Sequence, residues 1–168
     1  LFGVTQPLIY CEFMVTDTRN YTYLNSAECK DYFHFLKDNL EDIYYSSYFA
    51  EVAEYFTMEG QDERNILNLL FVTFLAMKKK LIPLSLIRRI YELKILQLCS
   101  TCAAKGQGRE VSFSVLYVLQ YVSSVPLNQL YSFALKETIE KEFEWVVNRY
   151  FTVHVEHKFK AAEMLAIV

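Results

Sequence analysis

Four glycines and three prolines serve a chain of 168 residues. That scarcity is the strongest constraint on what the chain can fold into. Strand-rich domains turn about every 8–12 residues and use Gly, Pro, Asn and Asp to do so, so a chain this poor in turn formers is expected to run in long helices. Hydrophobic residues make up 53% and charged residues 22%, which is too apolar for a disordered chain and too charged for a membrane bundle. The longest apolar run, Ile66 to Met77, is interrupted by Asn68 and falls short of the roughly 20 residues that cross a bilayer. The N-terminus lacks the basic and apolar regions of a signal peptide, and four cysteines are too few for a disulfide scaffold. A cytosolic, reducing setting is therefore expected. The first residue is Leu1 rather than Met, as in a piece of a longer protein.

The same four glycines limit the chemistry. Gly3, Gly60, Gly106 and Gly108 cannot compose G-x-G-x-x-G, because Val111 stands where the third glycine is needed, and they form no G-x-x-x-x-G-K-[ST] loop. No G-x-S-x-G elbow and no H-E-x-x-H helix is present, and the only histidines are His34, His154 and His157. Nothing in these patterns proposes an enzyme.

Residues 8–15 are β-branched and aromatic, residues 16–20 supply turn formers, and Tyr21-Thr22-Tyr23-Leu24 resumes the strand-like composition, which predicts a hairpin over residues 1–25. Two strands are marginal in water and must pack on something else. Ser26 is expected to cap a helix that opens with Ala27 and Glu28. From there residues 26–168 read as a helical domain. Tyr32, Phe35, Leu36 and Leu40 fall at helical spacing, as do Ile43, Tyr44, Phe49, Val52, Ala53 and Phe56, up to a stop at Gly60. Asp62 is expected to cap the next helix, whose two stripes (Ile66, Leu69, Leu70, Phe74, Met77 and Leu67, Phe71, Leu75) make most of its circumference apolar. That helix is expected at the centre of the core. Pro83 breaks the chain, a helix resumes near Ser85, and residues 98–110 form a cysteine-bearing loop. A short helix follows as far as Pro126, then a long one carrying Leu135, Ile139, Phe143, Val147 and Tyr150. The fold class is thus mostly α, with a short N-terminal β-hairpin and a small loop like part of a zinc ribbon.

Cys99-x-x-Cys102 is the sharpest local signal, since two thiolates at that spacing occupy adjacent corners of a zinc tetrahedron. Two ligands are half a structural site. Cys11, in the candidate strand, and Cys29, in the candidate first helix, read equally well as ordinary buried thiols, and nothing in the sequence brings His154 and His157 to the pair. Lys78, Lys79, Lys80, Arg88 and Arg89 concentrate positive charge in a chain whose net charge is −3. They read either as a phosphate-binding patch or as cations favoured by a helix C-terminus. Exposed aromatics such as Tyr10, Tyr21 or Tyr23 are able to stack on bases, but most of the 26 Phe and Tyr residues must be core. Glu51 with Glu54, and Glu140 with Glu144, suit a solvated face better than acid–base catalysis.

Order and spacing point further. Tyr10-Cys11-Glu12-Phe13, Arg19 to Leu24, Ala27-Glu28, Phe35 with Asn39-Leu40, and Ser47 to Val52 resemble, in that order, the bacterial recombination mediator family RecO. So do Tyr91-Glu92-Leu93-Lys94-Ile95-Leu96, the cysteine pair, Ser114-Val115-Leu116-Tyr117 and Lys158-Phe159-Lys160. The resemblance implies that the hairpin is the remnant of an OB-fold, a five-stranded barrel that binds nucleic acid. Zinc-binding members carry two C-x-x-C pairs, and the retained pair looks like the second, so a stretch between about Gln97 and Leu98 is expected to be absent here and one structural zinc ion to be held by the complete site. The function implied is non-catalytic: binding single- and double-stranded DNA, promoting annealing, and acting with RecR, sometimes RecF, on DNA coated by single-strand-binding protein so that the recombinase loads. The acidic, Phe-ended tail of single-strand-binding protein would dock on the helical part. The setting implied is a bacterial cytoplasm, nucleoid-associated, with no membrane and no small-molecule substrate. The competing reading is a helical protein–protein interaction domain that binds no nucleic acid.

Overall fold

The computed structural model describes residue 4, residues 6–98 and residues 111–165. Strands β1 (Tyr10–Asp17) and β2 (Thr22–Asp31) are followed by helices α1 (Leu40–Phe56), α2 (Arg64–Lys79), α3 (Leu84–Leu98), α4 (Phe113–Ser124), α5 (Glu137–His154) and α6 (Lys160–Leu165), with 3-10 turns at His34–Lys37 and Leu127–Gln129. The scarcity of turn residues is expressed as expected, in long helices and one hairpin.

The hairpin is antiparallel and runs to Asp31, beyond the predicted end at residue 25. The helix expected from Ser26 does not form. Ala27 pairs with Phe13, Glu28 with Glu12 and Cys29 with Cys11, and Lys30 bridges Glu12 at 3.2 Å and Glu28 at 2.9 Å. A capping signal is local and worth about 1 kcal/mol, and the ladder bonds and cross-strand contacts of a whole strand outweigh it. Cys11 and Cys29 are neither buried nor separate; they are half-exposed and joined as a disulfide across the two strands.

The chain leaves the sheet through Phe33, which sits in the left-handed region at φ 43° while its N–H donates to Asp31 Oδ1 at 2.8 Å. This costly backbone is held by packing. The Phe33 ring is buried against the edges of Phe71 and Phe74, and Tyr10 lies 4.8 Å from Phe71. So the hairpin is moored on α2 by aromatic contacts at its base.

The core centres on α3, not on α2 as the apolar circumference of α2 suggests. Every residue from Ile90 to Leu96 is buried, and α3 touches α1, α2, α4 and α5. Helix α2 buries one stripe, through Ile66, Leu69, Thr73, Phe74 and Met77, and leaves the other partly open, with Leu67 47% exposed. Part of that second stripe is taken by the hairpin through Phe71. Between α1 and α2 the turn passes through Gly60 at φ 78°, a conformation that glycine adopts without a Cβ penalty. Asp62 lies one residue before the cap position Glu63, and its carboxylate accepts from the Arg64 backbone N–H at 3.2 Å. Helix α4 begins as a Ser-capped helix, the Ser112 hydroxyl accepting from Val115 N–H.

The family-like motifs join these helices. The Tyr91 hydroxyl donates to the Phe49 carbonyl at 2.9 Å, and the Glu51 carboxylate accepts from the Lys160 and Ala161 backbone N–H groups at the start of α6. Phe159 packs by its edge on Tyr48 and Tyr55. Among the described residues, every buried side-chain polar atom has a hydrogen-bond partner, and no helix is long and apolar enough to cross a membrane.

Candidate nucleic-acid and partner interface

Helix α2 ends in Lys78, Lys79 and Lys80, all exposed, as the apolar face gives way to solvent after Met77. Lys80 occupies the left-handed cap position, its N–H shared between the Ala76 and Met77 carbonyls. The helix dipole favours cations here, and little else holds them. Lys80 Nζ stands 3.8 Å from Asp42, Lys78 Nζ lies 5.9 Å from the Phe35 ring, and Lys79 makes no ion pair among the described residues. Leu81 follows at 72% exposure. The result is a basic corner with an open apolar edge, able to receive phosphates.

Arg88 and Arg89 do not join that corner. Both reach along α3 to Glu92, whose side chain is fully buried. Arg88 Nε donates to Oε1 at 2.8 Å, and Arg89 Nη1 donates to Oε2 at 2.6 Å and to Asn148 Oδ1 at 2.9 Å. The Tyr48 hydroxyl donates to Glu92 Oε1 at 2.6 Å beneath the Arg88 guanidinium, which lies 4.4 Å from the Tyr48 ring centroid. Burial alone would lower the pKa of Arg88, but the carboxylate and the phenol beside it hold it above the ordinary value. Burial, with the charge of Glu92, pushes the Tyr48 phenol well up. This is a closed charge centre that ties α1, α3 and α5 together.

Lys94 has a similar internal role. Its ammonium donates to the carbonyls of Val122, Ser123 and Val125 at 3.0, 3.1 and 3.2 Å. These carbonyls lie at the end of α4, where helix geometry leaves them without an N–H. Desolvation lowers the pKa of the amine. Sequence reasoning overlooked both Glu92 and Lys94 as paired groups, although a signal existed. In Ile90 to Leu96 apolar residues occupy both faces around the two charges, so no polar face is left to carry them to water.

A second surface opens on α4. Phe113, Tyr117, Tyr121, Phe133, Leu135 and Ile139 line a cleft of about 590 Å³, with Phe113 92% and Tyr117 69% exposed. Lys136 follows Leu135 directly and makes no ion pair among the described residues.

Cys99 and Cys102, and the cysteine-bearing loop over residues 98–110 apart from Leu98, lie outside the described residues. His154 packs on Tyr150 at 4.1 Å, and His157 stacks on Tyr55 and meets Phe159. Among the described residues no group of three or more His, Cys, Asp or Glu is placed to hold a metal.

The architecture is a mostly helical domain with an N-terminal hairpin moored on its second helix and a buried charge centre on its third. The family model described as "Recombination protein O C terminal" matches residues 37–99 and 97–163. The chain belongs to the RecO family, whose members are named for DNA repair and recombination. It is 23% identical over 195 aligned residues to the DNA repair protein RecO of Clostridium kluyveri, covering 98% of this chain and 76% of that protein. Its identity to the RecO protein of Alkaliphilus metalliredigens is 32% over 113 residues, 64% of this chain and 46% of the relative. For Caldicellulosiruptor saccharolyticus the figures are 35% over 96 residues, 57% and 39%. No solved structure matches the chain. The two family-model matches meet at residues 97–99, and the alignment with the Clostridium protein is longer than the chain itself.

Proposed function

We propose that this chain is the docking and DNA-contacting part of a recombination mediator. It binds single- and double-stranded DNA, promotes annealing, and works with RecR, and in some settings RecF, to load the recombinase on DNA coated by single-strand-binding protein. The observation that carries this reading is the exposed lysine corner at the end of α2 in a chain of the DNA-repair family. Lys78, Lys79 and Lys80 are the phosphate contacts. Arg88 and Arg89 are held by Glu92 and are not assigned phosphate contacts. The role is one of binding, with no reaction centre, in a bacterial cytoplasm.

The α4 cleft suits the Phe-ended tail of single-strand-binding protein. Its aromatic lining accepts a terminal ring. The meeting of the two family matches at residues 97–99 supports a missing stretch that would have carried a first cysteine pair, with one zinc ion per complete site.

The test is binding to labelled single-stranded DNA across a salt series, using the protein extended by its OB-fold. Affinity should fall steeply as salt rises. The triple variant Lys78→Ala, Lys79→Ala, Lys80→Ala should reduce the log–log slope by roughly 2, since each phosphate left without its lysine takes away about 0.7. Absence of binding at low salt favours the alternative, a helical protein–protein interaction domain. The net charge of −3 and the dipole preference for cations at a helix end speak for that alternative.

A further inference from the structure

The hairpin carries a pair of groups that neither the lysine corner nor the charge centre uses. Cys11 and Cys29 face each other directly in the β1–β2 ladder, next to the opposed pair Glu12 and Glu28, with their Cα atoms 4.1 Å apart and their sulfurs bonded. Directly opposed residues of the closer antiparallel type bring their Cβ atoms within reach of a disulfide. Both residues are half-exposed on a sheet of two strands, where a small thiol reaches them from solvent. They also sit at the moored end of the hairpin, beside Tyr10 on Phe71 and near the turn at Phe33. A bond there therefore closes the hairpin at its base.

We propose that Cys11 and Cys29 are a reversible thiol–disulfide site, exchanging with a low-molecular-weight disulfide of the glutathione class, and that the bond sets how firmly the hairpin is closed. The thiolate of one cysteine attacks a sulfur of the small disulfide and expels one small thiolate, which takes up a proton. The second cysteine, as thiolate, attacks the mixed disulfide and expels the other. Two protein thiols are oxidised to one disulfide, and one small disulfide is reduced to two thiols. A two-stranded hairpin is marginal by itself, and closing a loop with a sequence separation of 18 should suppress its opening roughly 100-fold. In a cytosolic protein a bond of this kind is typically transient and sensing rather than structural.

The test equilibrates the purified chain with oxidised and reduced glutathione at a series of ratios, then alkylates and digests it with trypsin. Cleavage after Arg19, Lys30, Lys94 and Lys105 places Cys11, Cys29 and the Cys99–Cys102 pair in three separate peptides. Peptides 1–19 and 20–30 should be joined under oxidising conditions and separately alkylated under reducing ones. Amide exchange in β1 and β2 should be at least tenfold slower in the oxidised form, and this difference should vanish in both Cys29→Ser and Cys11→Ser. The proposal is overturned if Cys11 and Cys29 are alkylated at every ratio, if either is joined to Cys99 or Cys102 instead, or if strand exchange is indifferent to the bond.

Discussion

Glu92 shows what one buried carboxylate commits a fold to. It accepts from Tyr48, Arg88 and Arg89 and is closed off from water, so its removal strands two guanidinium groups that are themselves mostly enclosed. Breaking a buried pair from one side costs about 3–5 kcal/mol, and the partial exposure of the arginines argues for the lower end. Urea denaturation of Glu92→Ala should therefore show a loss of about 3 kcal/mol, whereas Glu92→Gln, which keeps an acceptor, should lose less. Lys94 is the complementary case. Replacing it by Met keeps the stem and deletes the donor of three carbonyls, and a destabilisation of about 1–3 kcal/mol is expected from the same measurement.

Elements in this chain are held by residues distant in sequence as much as by their own propensities. Helix α6 spans Lys160–Leu165, too short to stand alone in water. Its first N–H groups are satisfied by Glu51 of α1 at 2.9 Å each. Glu51→Ala should release α6, seen as faster amide exchange confined to the C-terminal segment and faster tryptic cleavage at Lys158 and Lys160, with the exchange of α3 unchanged. The breaks at Pro83 and Pro126 are legible because proline geometry acts within a residue or two. Residues 26–31 were not legible in the same way. Ser26, Ala27 and Glu28 carry a helix-start signature, yet each is paired across the sheet to a residue of β1. The partner strand, not the local segment, decides that conformation.

At the scale of the whole molecule, buried phenols tie stability to pH. Burial raises Tyr48 and Tyr91 well above their ordinary value of 10.0, and Tyr131 likewise. A folded-state pKa above the unfolded one means that the unfolded chain loses its protons first. The stability these groups contribute is complete below about pH 10 and is lost as pH rises beyond it. Lys94 acts oppositely, since its lowered pKa makes stability rise with pH up to 10.5, but it is one group against several, Tyr45 being raised by burial as well. Denaturation midpoints should therefore fall steeply above about pH 10. Tyr91→Phe should make that fall shallower by up to about 1.4 kcal/mol per pH unit; an unchanged slope would remove Tyr91 from the set. The phosphate contacts proposed for the lysine corner belong to this scale too, and their expected signature is the salt slope of DNA binding rather than a stability change.

The sequence by itself determined the class of the fold, mostly helical with one N-terminal hairpin, because turn scarcity, apolar period and capping chemistry act over a few residues. It also placed Lys78, Lys79 and Lys80 at a helix end, where they stand in the structure. Which helix lies at the centre, how far β2 extends, and the turning of Arg88 and Arg89 away from the basic corner were settled only by tertiary structure. Each depends on partners far along the chain, 44 residues from Tyr48 to Glu92 and 59 from Arg89 to Asn148. A buried charge takes the position where its counter-charge and donors converge, and that convergence exists only once the helices have packed.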